Sequence, residues 1–185
     1  MISNFKASQV TLDRLNELEV VTKLLENNNI FYSVIGGFAV DGYAGRLTRD
    51  HDDIDMVSYR NDINKIQIIL ANKGYTFKDF ARNGETIPYK IFNQEPTTIT
   101  FHIIDKLNNN FEVVFWYPGH LQYPTTLLTR KSVIINNVSF YVINKELLIG
   151  LKNKQINIEA QHLDNPNHEK KYKDSLHDLE ILRNT

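Results

Sequence analysis

Two aspartates, Asp53 and Asp55, are the residues whose types and spacing point most directly to chemistry. They stand in a segment, 53–57, where polar and apolar residues alternate as in a half-buried β-strand. Because residues two apart in a strand face the same side, the two carboxylates lie together while Ile54 and Met56 point into a core. Two ionised carboxylates this close together repel each other. The repulsion is relieved either when they share a proton, which raises the pKa of one of the two aspartates, or when they bind a cation. Mg²⁺ suits hard oxygen ligands of this kind.

A pair of glycines, Gly36 and Gly37, directly follows a short apolar run and precedes a short helical segment. Glycines at that place let a phosphate approach the backbone, and the N–H groups of a helix N-terminus carry partial positive charge. The same pair could also be no more than a tight turn. Arg46 and Arg49 lie in the loop before the acidic strand, and the planar arginine fork suits phosphate oxygens. Arg49 could instead pair with an aspartate across that loop.

A third carboxylate is needed if this is a phosphoryl-transfer site with two metal ions. Glu112 stands in an otherwise apolar strand, Phe111–Phe115, where an unpaired carboxylate would cost several kcal/mol. A metal ion shared with the aspartate pair would stabilise it. Asp105 is the alternative third acid, but it lies beside an Asn-rich turn where a solvated carboxylate is unremarkable.

The order of secondary-structure elements predicts an α+β fold. Apolar residues spaced three and four apart predict helices at 10–28, 38–43, 62–73, 145–156 and 168–183. Short β-branched and aromatic runs predict strands at 30–35, 53–57, 75–80, 86–93, 98–104 and 111–117, with turns at 108–110 and 136–137 and a hairpin over 133–142. Strands and helices alternate too rarely for a doubly wound parallel sheet, which favours a mixed twisted sheet with helices on one face. We expect residues 1–143 to form the core and residues 144–185 to form a helical segment packed on it.

The amino-acid composition excludes several classes of function. The chain has 185 residues, a formal net charge of −1 and no cysteine. Without cysteine there is no thiol catalysis, no Cys-ligated zinc and no disulfide. A near-neutral charge provides no general attraction for nucleic acid. No apolar run reaches the roughly 18 residues that would span a bilayer, and no signal peptide is recognisable, so we expect a cytoplasmic protein without membrane partners.

Together, Gly36-Gly37 and the segment 45–55, of the form G-R-x-T-R-x-H-D-D-I-D, resemble the nucleotidyltransferase superfamily that includes DNA polymerase beta. Within that superfamily the segment is most similar to the aminoglycoside and lincosamide nucleotidyltransferases. The strand around Glu112 resembles the place where the family has its third carboxylate. A C-terminal pattern of the form K-x-K-D-x-x-x-D resembles related enzymes, and it consists of Lys171, Lys173, Asp174 and Asp178.

The resemblance implies an enzyme that moves a nucleoside monophosphate, AMP from ATP, to a hydroxyl of a small molecule. It implies that Asp53, Asp55 and Glu112 hold Mg²⁺ and act in catalysis, with Glu112 as a general base. Further residues are implied to line or contact the triphosphate: Gly36, Gly37, Arg46, Arg49, Lys152 and Lys173. The same core also serves enzymes that modify tRNA or protein, and non-catalytic nucleotide-binding modules. A homodimer could complete the cleft.

Overall fold

The computed structural model describes residues 5–82, 85–95, 97–106, 111–115 and 120–185, with backbone alone for the strand residues within 79–90 and 111–121. Its five α-helices are α1 Gln9–Asn27, α2 Gly36–Ala44, α3 Ile63–Ala71, α4 Lys145–Glu159 and α5 Pro166–Asn184. Its strands are β1 Ser33–Val34, β2 Ile54–Tyr59, β3 Thr76–Arg82, β4 Glu85–Gln94, β5 Thr97–Lys106, β6 Phe111–Phe115, β7 His120–Pro124, β8 Arg130–Ile135 and β9 Val138–Ile143. The turn predicted at 108–110 and the last two residues of the strand predicted at 111–117 lie outside the described residues.

The strands form one mixed sheet in the order β3-β4-β5-β2-β1-β9-β8, and β6 and β7 extend it from β5. The β2–β5 and β1–β9 pairs are parallel, whereas β1–β2, β4–β5 and β8–β9 are antiparallel. This mixed sheet with five helices confirms the predicted α+β class. The strand that carries the aspartates, β2, lies between β5 and β1 and therefore has a hydrogen-bonded neighbour on each side.

The first helix contributes its apolar stripe to the core. Leu15, Leu18, Val21 and Leu25 are each at most 2% exposed, at the spacing of three and four that the sequence showed. Ser8 caps the helix, since its hydroxyl accepts a hydrogen bond from the Thr11 N–H. Burial of each such side chain contributes about 1.5–3 kcal/mol.

Three elements differ from the sequence predictions. The strand predicted at 30–35 is only two residues long, because within this run only Ser33 and Val34 pair with β2. Helix α2 begins at Gly36, two residues earlier than predicted. Strand β7 was not predicted. The hairpin of β8 and β9 is as expected, and it turns at Asn136 and Asn137, both with positive φ as a two-residue turn of type I′ requires.

The two C-terminal helices pack against each other and against α2. This packing brings side chains from the last forty residues to the loop between α2 and β2, where the sequence motif lies. No helix in the described part of the chain is long and apolar enough to cross a membrane.

Candidate active site

The glycine pair forms a tight corner against the acidic strand. The Ile35 N–H donates to the Asp55 carbonyl oxygen at 2.9 Å, and α2 then begins at Gly36, whose φ is +66°. A Cβ on Gly36 would lie 2.6 Å from Asp55 Oδ2, and a Cβ on Gly37 would lie 2.4 Å from His51 Nδ1. Glycine is the residue that fits this space, so the first turn of α2 lies directly against the side chains of Asp55, His51 and Arg49.

Asp53 and Asp55 flank the buried Ile54 at the start of β2, as the alternation predicted. Repulsion from Asp55, together with burial, raises the pKa of Asp53. Burial acts to raise the pKa of Asp55 as well, but a polar contact with His102 and the charge of Lys152 hold it below its usual value. Asp55 therefore ionises readily, whereas Asp53 resists ionisation. A bound cation would offset the repulsion between the two carboxylates.

The two carboxylates could supply part of the ligand set of a divalent cation. In the described ranges, no group of three His, Cys, Asp or Glu side chains is arranged to hold a metal ion. Mg²⁺ commonly takes only one or two carboxylates from a protein and completes its shell with water and substrate phosphates. Asp53 and Asp55, next to a backbone corner that can receive phosphate, match that mode of binding.

The strand register does not bring the expected third carboxylate to this pair. Asp55 pairs with Thr100 on β5, whereas Glu112 on β6 pairs with Lys106, six residues further along β5. At about 3.3 Å per residue, this is a separation of about 20 Å along the strand. The expectation that Glu112 joins the aspartates conflicts with this register, because β6 pairs with the far end of β5. The structure describes the backbone of Glu112 but not its side chain.

The alternative acid, Asp105, also lies at the far end of β5, and it forms a two-fold ion pair with Arg60 at 2.5 and 2.7 Å. Beside Asp55, β5 presents His102 instead, whose Nε2 lies 3.6 Å from Asp55 Oδ1. His102 could not be singled out from the sequence, because it stands in a run of polar and apolar residues with no motif around it.

Two of the predicted phosphate ligands reach the site from different elements. Arg49 lies in the loop before β2, and Lys152 lies on α4 and is only 5% exposed. Both bind Asp178 of α5: Arg49 Nε and Nη2 donate to its two oxygens at 2.9 Å, and Lys152 Nζ lies 2.7 Å from Oδ2. Arg49 therefore does not pair with Asp53 or Asp55, which had been the alternative interpretation.

The other two predicted ligands, Lys173 and Arg46, make contacts outside the aspartate pair. Lys173 is exposed and bonds Glu169 on its own helix at 2.6 Å. Arg46 is partly exposed, and its backbone N–H donates to the Asp41 carbonyl oxygen. Lys171 was named in the C-terminal pattern but not among the phosphate ligands, although its charge acts on both Asp53 and Asp55. Helical periodicity could have found it, since residues 171, 174 and 178 are three and four apart and share one face of α5.

A buried network holds the motif loop in place. His51 Nε2 lies 2.6 Å from Asp41 Oδ2, and both side chains are almost fully buried. The other oxygen of Asp41 accepts hydrogen bonds from the backbone and hydroxyl of Thr48, and the His51 N–H donates to the Thr11 hydroxyl. At the outer edge of the loop, Asp52 pairs with Lys170 of α5. The loop is thus tied to α1, α2 and α5, which fixes where Arg49 and Asp53 stand.

A family model described as aminoglycoside-2''-adenylyltransferase matches residues 17–133 of the chain. The chain belongs to the aminoglycoside-2''-adenylyltransferase family. The membership confirms the predicted nucleotidyltransferase superfamily and its antibiotic-modifying branch, and it makes the protein an enzyme of the nucleotidyltransferase type. The match covers the glycine pair, the motif loop and both aspartates. No curated protein matches the chain.

Solved structures share the fold of this adenylyltransferase family member at low sequence identity. The lincosamide adenylyltransferase LnuA, solved with lincomycin, has a TM-score of 0.56 and 15% identity, over 92% of this chain and 98% of its own. ANT(2'')-Ia, solved in complex with adenylyl-2''-tobramycin, has a TM-score of 0.59 and 13% identity, over 92% and 95%. A nucleotidyltransferase structure from Thermotoga maritima has a TM-score of 0.56 and 15% identity, over 85% and 94%.

Proposed function

We propose that this protein transfers AMP from ATP to a hydroxyl of a small antibiotic acceptor, with Mg²⁺ held by Asp53 and Asp55. The observation that carries the proposal is the placement of the paired aspartates against the Gly36-Gly37 corner, in a chain that belongs to an adenylyltransferase family. An aminoglycoside or a lincosamide is the acceptor class to test first, because ANT(2'')-Ia and LnuA were solved with such compounds.

The donor triphosphate would lie at the N-terminus of α2. The first turn of a helix has backbone N–H groups without partners inside the helix, and they favour anions. At Gly36 and Gly37 this turn lies against side-chain atoms of Asp55, His51 and Arg49, so a phosphate bound there would be beside Asp55 and Arg49. Lys171 is exposed on α5, and its charge already acts on the carboxylate pair. We assign Lys171 to the phosphates in preference to Lys173, which is held by Glu169.

Transfer requires the acceptor hydroxyl oxygen to bond to the α-phosphorus as the bond to the bridging oxygen of pyrophosphate breaks; the hydroxyl proton passes to solvent and pyrophosphate leaves. When bound, Mg²⁺ would neutralise charge on the phosphates and help to align them. Asp53 and Asp55 would hold the ion, and the corner at Gly36 sets the first turn of α2 against Asp55. Positioning and charge neutralisation then provide most of the rate, because phosphoryl chemistry asks for little covalent participation from the protein.

The test is a transfer assay with ATP labelled at the α-phosphate and Mg²⁺, run against aminoglycosides, lincosamides and total tRNA. We expect label to move to one antibiotic class and pyrophosphate to be released. Asp53→Asn should lower turnover by at least about 10³-fold, because it removes half of the metal site. Asp52→Asn is the matched control: it is the adjacent residue and the same chemical change, but Asp52 pairs with Lys170 at the edge of the loop.

Label on tRNA alone would refute the small-molecule acceptor and leave the nucleotidyl transfer in place. Equal activity of Asp53→Asn and wild type would refute the assignment of the site.

A further inference from the structure

The strand beside the aspartate pair presents two threonines. Asp55 is directly paired with Thr100 on β5, and the same parallel register sets Thr98 level with Asp53. Neighbouring strands lie about 4.8 Å apart, and residues paired across them point to the same side of the sheet. Thr98 and Thr100 therefore stand next to the two aspartates, one strand spacing away.

Burial along the strands shows which face of the sheet these threonines share. Ile99 and Phe101 are fully buried, whereas Thr98 and Thr100 are partly exposed. Ile54, which lies between the two aspartates on β2, is also fully buried. The threonines and the aspartates thus lie on the face opposite this apolar layer, where a substrate can reach them.

The next strand continues this surface away from the aspartates. Asn93 on β4 is paired with Thr98, and its Oδ1 accepts a hydrogen bond from the Thr98 hydroxyl at 3.0 Å. Ile91 is paired with Thr100, and both Asn93 and Ile91 are partly exposed. We call Ile91, Asn93, Thr98 and Thr100 the β4–β5 shelf. None of the four side chains is charged.

Uncharged side chains of this kind suit a particular class of acceptor. A threonine hydroxyl both donates and accepts a hydrogen bond, and so does an asparagine amide, so both match the hydroxyl groups of a sugar-like ring. An ammonium group only donates, and a carboxylate would hold it more strongly. The hydroxyl that receives AMP has to lie beside the aspartates, so a hydroxyl on the next ring carbon would reach Thr98 or Thr100.

We propose that the β4–β5 shelf binds the acceptor through a hydroxyl next to the one that receives AMP, and that the reacting ring of the acceptor is uncharged with adjacent hydroxyls. The proposal rests on the proposed function, because the shelf serves the acceptor only if transfer takes place at the aspartate pair. Lincomycin has a ring with adjacent hydroxyls and is the probe for this class. Tobramycin has amino groups on each of its rings and is the probe for a polycationic acceptor.

The test is the transfer of label from ATP to lincomycin and to tobramycin by the full chain. We expect kcat/KM for lincomycin to exceed that for tobramycin at least about tenfold. Thr98→Val and Thr100→Val each keep the β-branched shape of the side chain and remove one hydroxyl. We expect each to raise the KM for lincomycin at least about threefold, as the loss of one hydrogen bond implies, while the KM for ATP stays within about twofold of wild type.

Thr126→Val is the matched control, because it makes the same change at an exposed threonine in the short helical turn after β7. Its kinetics should equal those of wild type. A rise in the KM for ATP in place of the KM for lincomycin would overturn the proposal, since the hydroxyls would then serve the donor. An unchanged KM for lincomycin in both shelf variants would also overturn it. So would a preference of the wild-type protein for tobramycin, an outcome that does not depend on the folding of any variant.

The failure of the proposed function gives a different result. In that case wild type transfers label to neither compound, or Asp53→Asn transfers it as fast as wild type does. Transfer to lincomycin that depends on Asp53 but on neither Thr98 nor Thr100 leaves the proposed function standing and rejects the shelf.

Discussion

Asp53→Asn is expected to make the protein more stable while it removes activity. Repulsion from Asp55, aided by burial, raises the pKa of Asp53 from 3.8 to about 7. A carboxyl whose pKa is higher in the folded state than in the unfolded state destabilises the fold once it ionises. The penalty is absent below the unfolded pKa of about 4, grows as the pH rises, and is complete above the folded pKa. Asparagine has the same shape and carries no charge, so it removes this penalty.

The size of the gain follows from the shift and the exposure of the side chain. About three pKa units correspond to about 4 kcal/mol. Protein atoms crowd the Asp53 carboxylate and desolvate it in part, yet the side chain still reaches solvent. Solvent and salt therefore screen most of this energy, and we expect a gain of about 1 kcal/mol. For a chain of this size, 1 kcal/mol raises Tm by about 2–4 °C.

The assay is thermal unfolding followed by circular dichroism without metal, at pH 8 and at pH 4. Asp53→Asn should unfold at a higher temperature than wild type at pH 8 and at the same temperature at pH 4. The matched control, Asp52→Asn, should show no gain at either pH, because the bond from Lys170 lowers the pKa of Asp52. Adding Mg²⁺ at pH 8 should stabilise wild type and not Asp53→Asn. An Asp53→Asn variant that is less stable than wild type at pH 8, or a gain that persists at pH 4, would refute the reasoning.

Three further predictions follow from the same contacts. Gly37→Ala should raise the KM for ATP at least tenfold and lower Tm, because its Cβ would lie within 2.6 Å of side-chain atoms of His51 and Arg49, which are held by Asp41 and Asp178; unchanged kinetics with an unchanged Tm would contradict the tight corner. The affinity of wild type for Mn²⁺ should rise with pH through the raised pKa of Asp53, since the ion must displace a proton; a titration that is flat between pH 5 and pH 8 would contradict this. Leu18→Ala should lower the free energy of unfolding by about 2–5 kcal/mol in urea denaturation. A loss below about 1 kcal/mol would mean that neighbouring side chains move in and fill the cavity.

Local patterns were sufficient to predict much of the fold. The spacing of apolar residues in α1 gave a helix within one residue of its observed bounds, and Asn136-Asn137 gave the hairpin of β8 and β9. The same local signal failed at 30–35, because the length of a strand depends on where a partner strand is available. Ile30 is buried but belongs to no strand, so its apolar side chain indicates burial and does not indicate strand structure.

The candidate site likewise consists of residues that local sequence can predict and residues that depend on long-range contacts. The aspartate pair and the glycine corner are local in sequence, and the structure places Asp55 directly against Gly36. Glu112 depended on strand register, which no pattern in its own strand specifies. The contact of Arg49 with Asp178 joins residues 129 positions apart, so no local pattern could show it. Lys171 could have been chosen over Lys173 from helical periodicity alone, because only Lys171 shares a face with Asp174 and Asp178.

The most direct measurement is a crystal structure of the wild-type protein with Mn²⁺ and an ATP analogue that has a methylene group between the α- and β-phosphorus atoms, with anomalous diffraction used to locate the ion. We expect the ion to bind oxygens of Asp53, Asp55 and the phosphates, with the triphosphate seated at the N-terminus of α2. An ion bound elsewhere while the nucleotide is present, or Arg49 bound between the two aspartates, would contradict the proposed metal site.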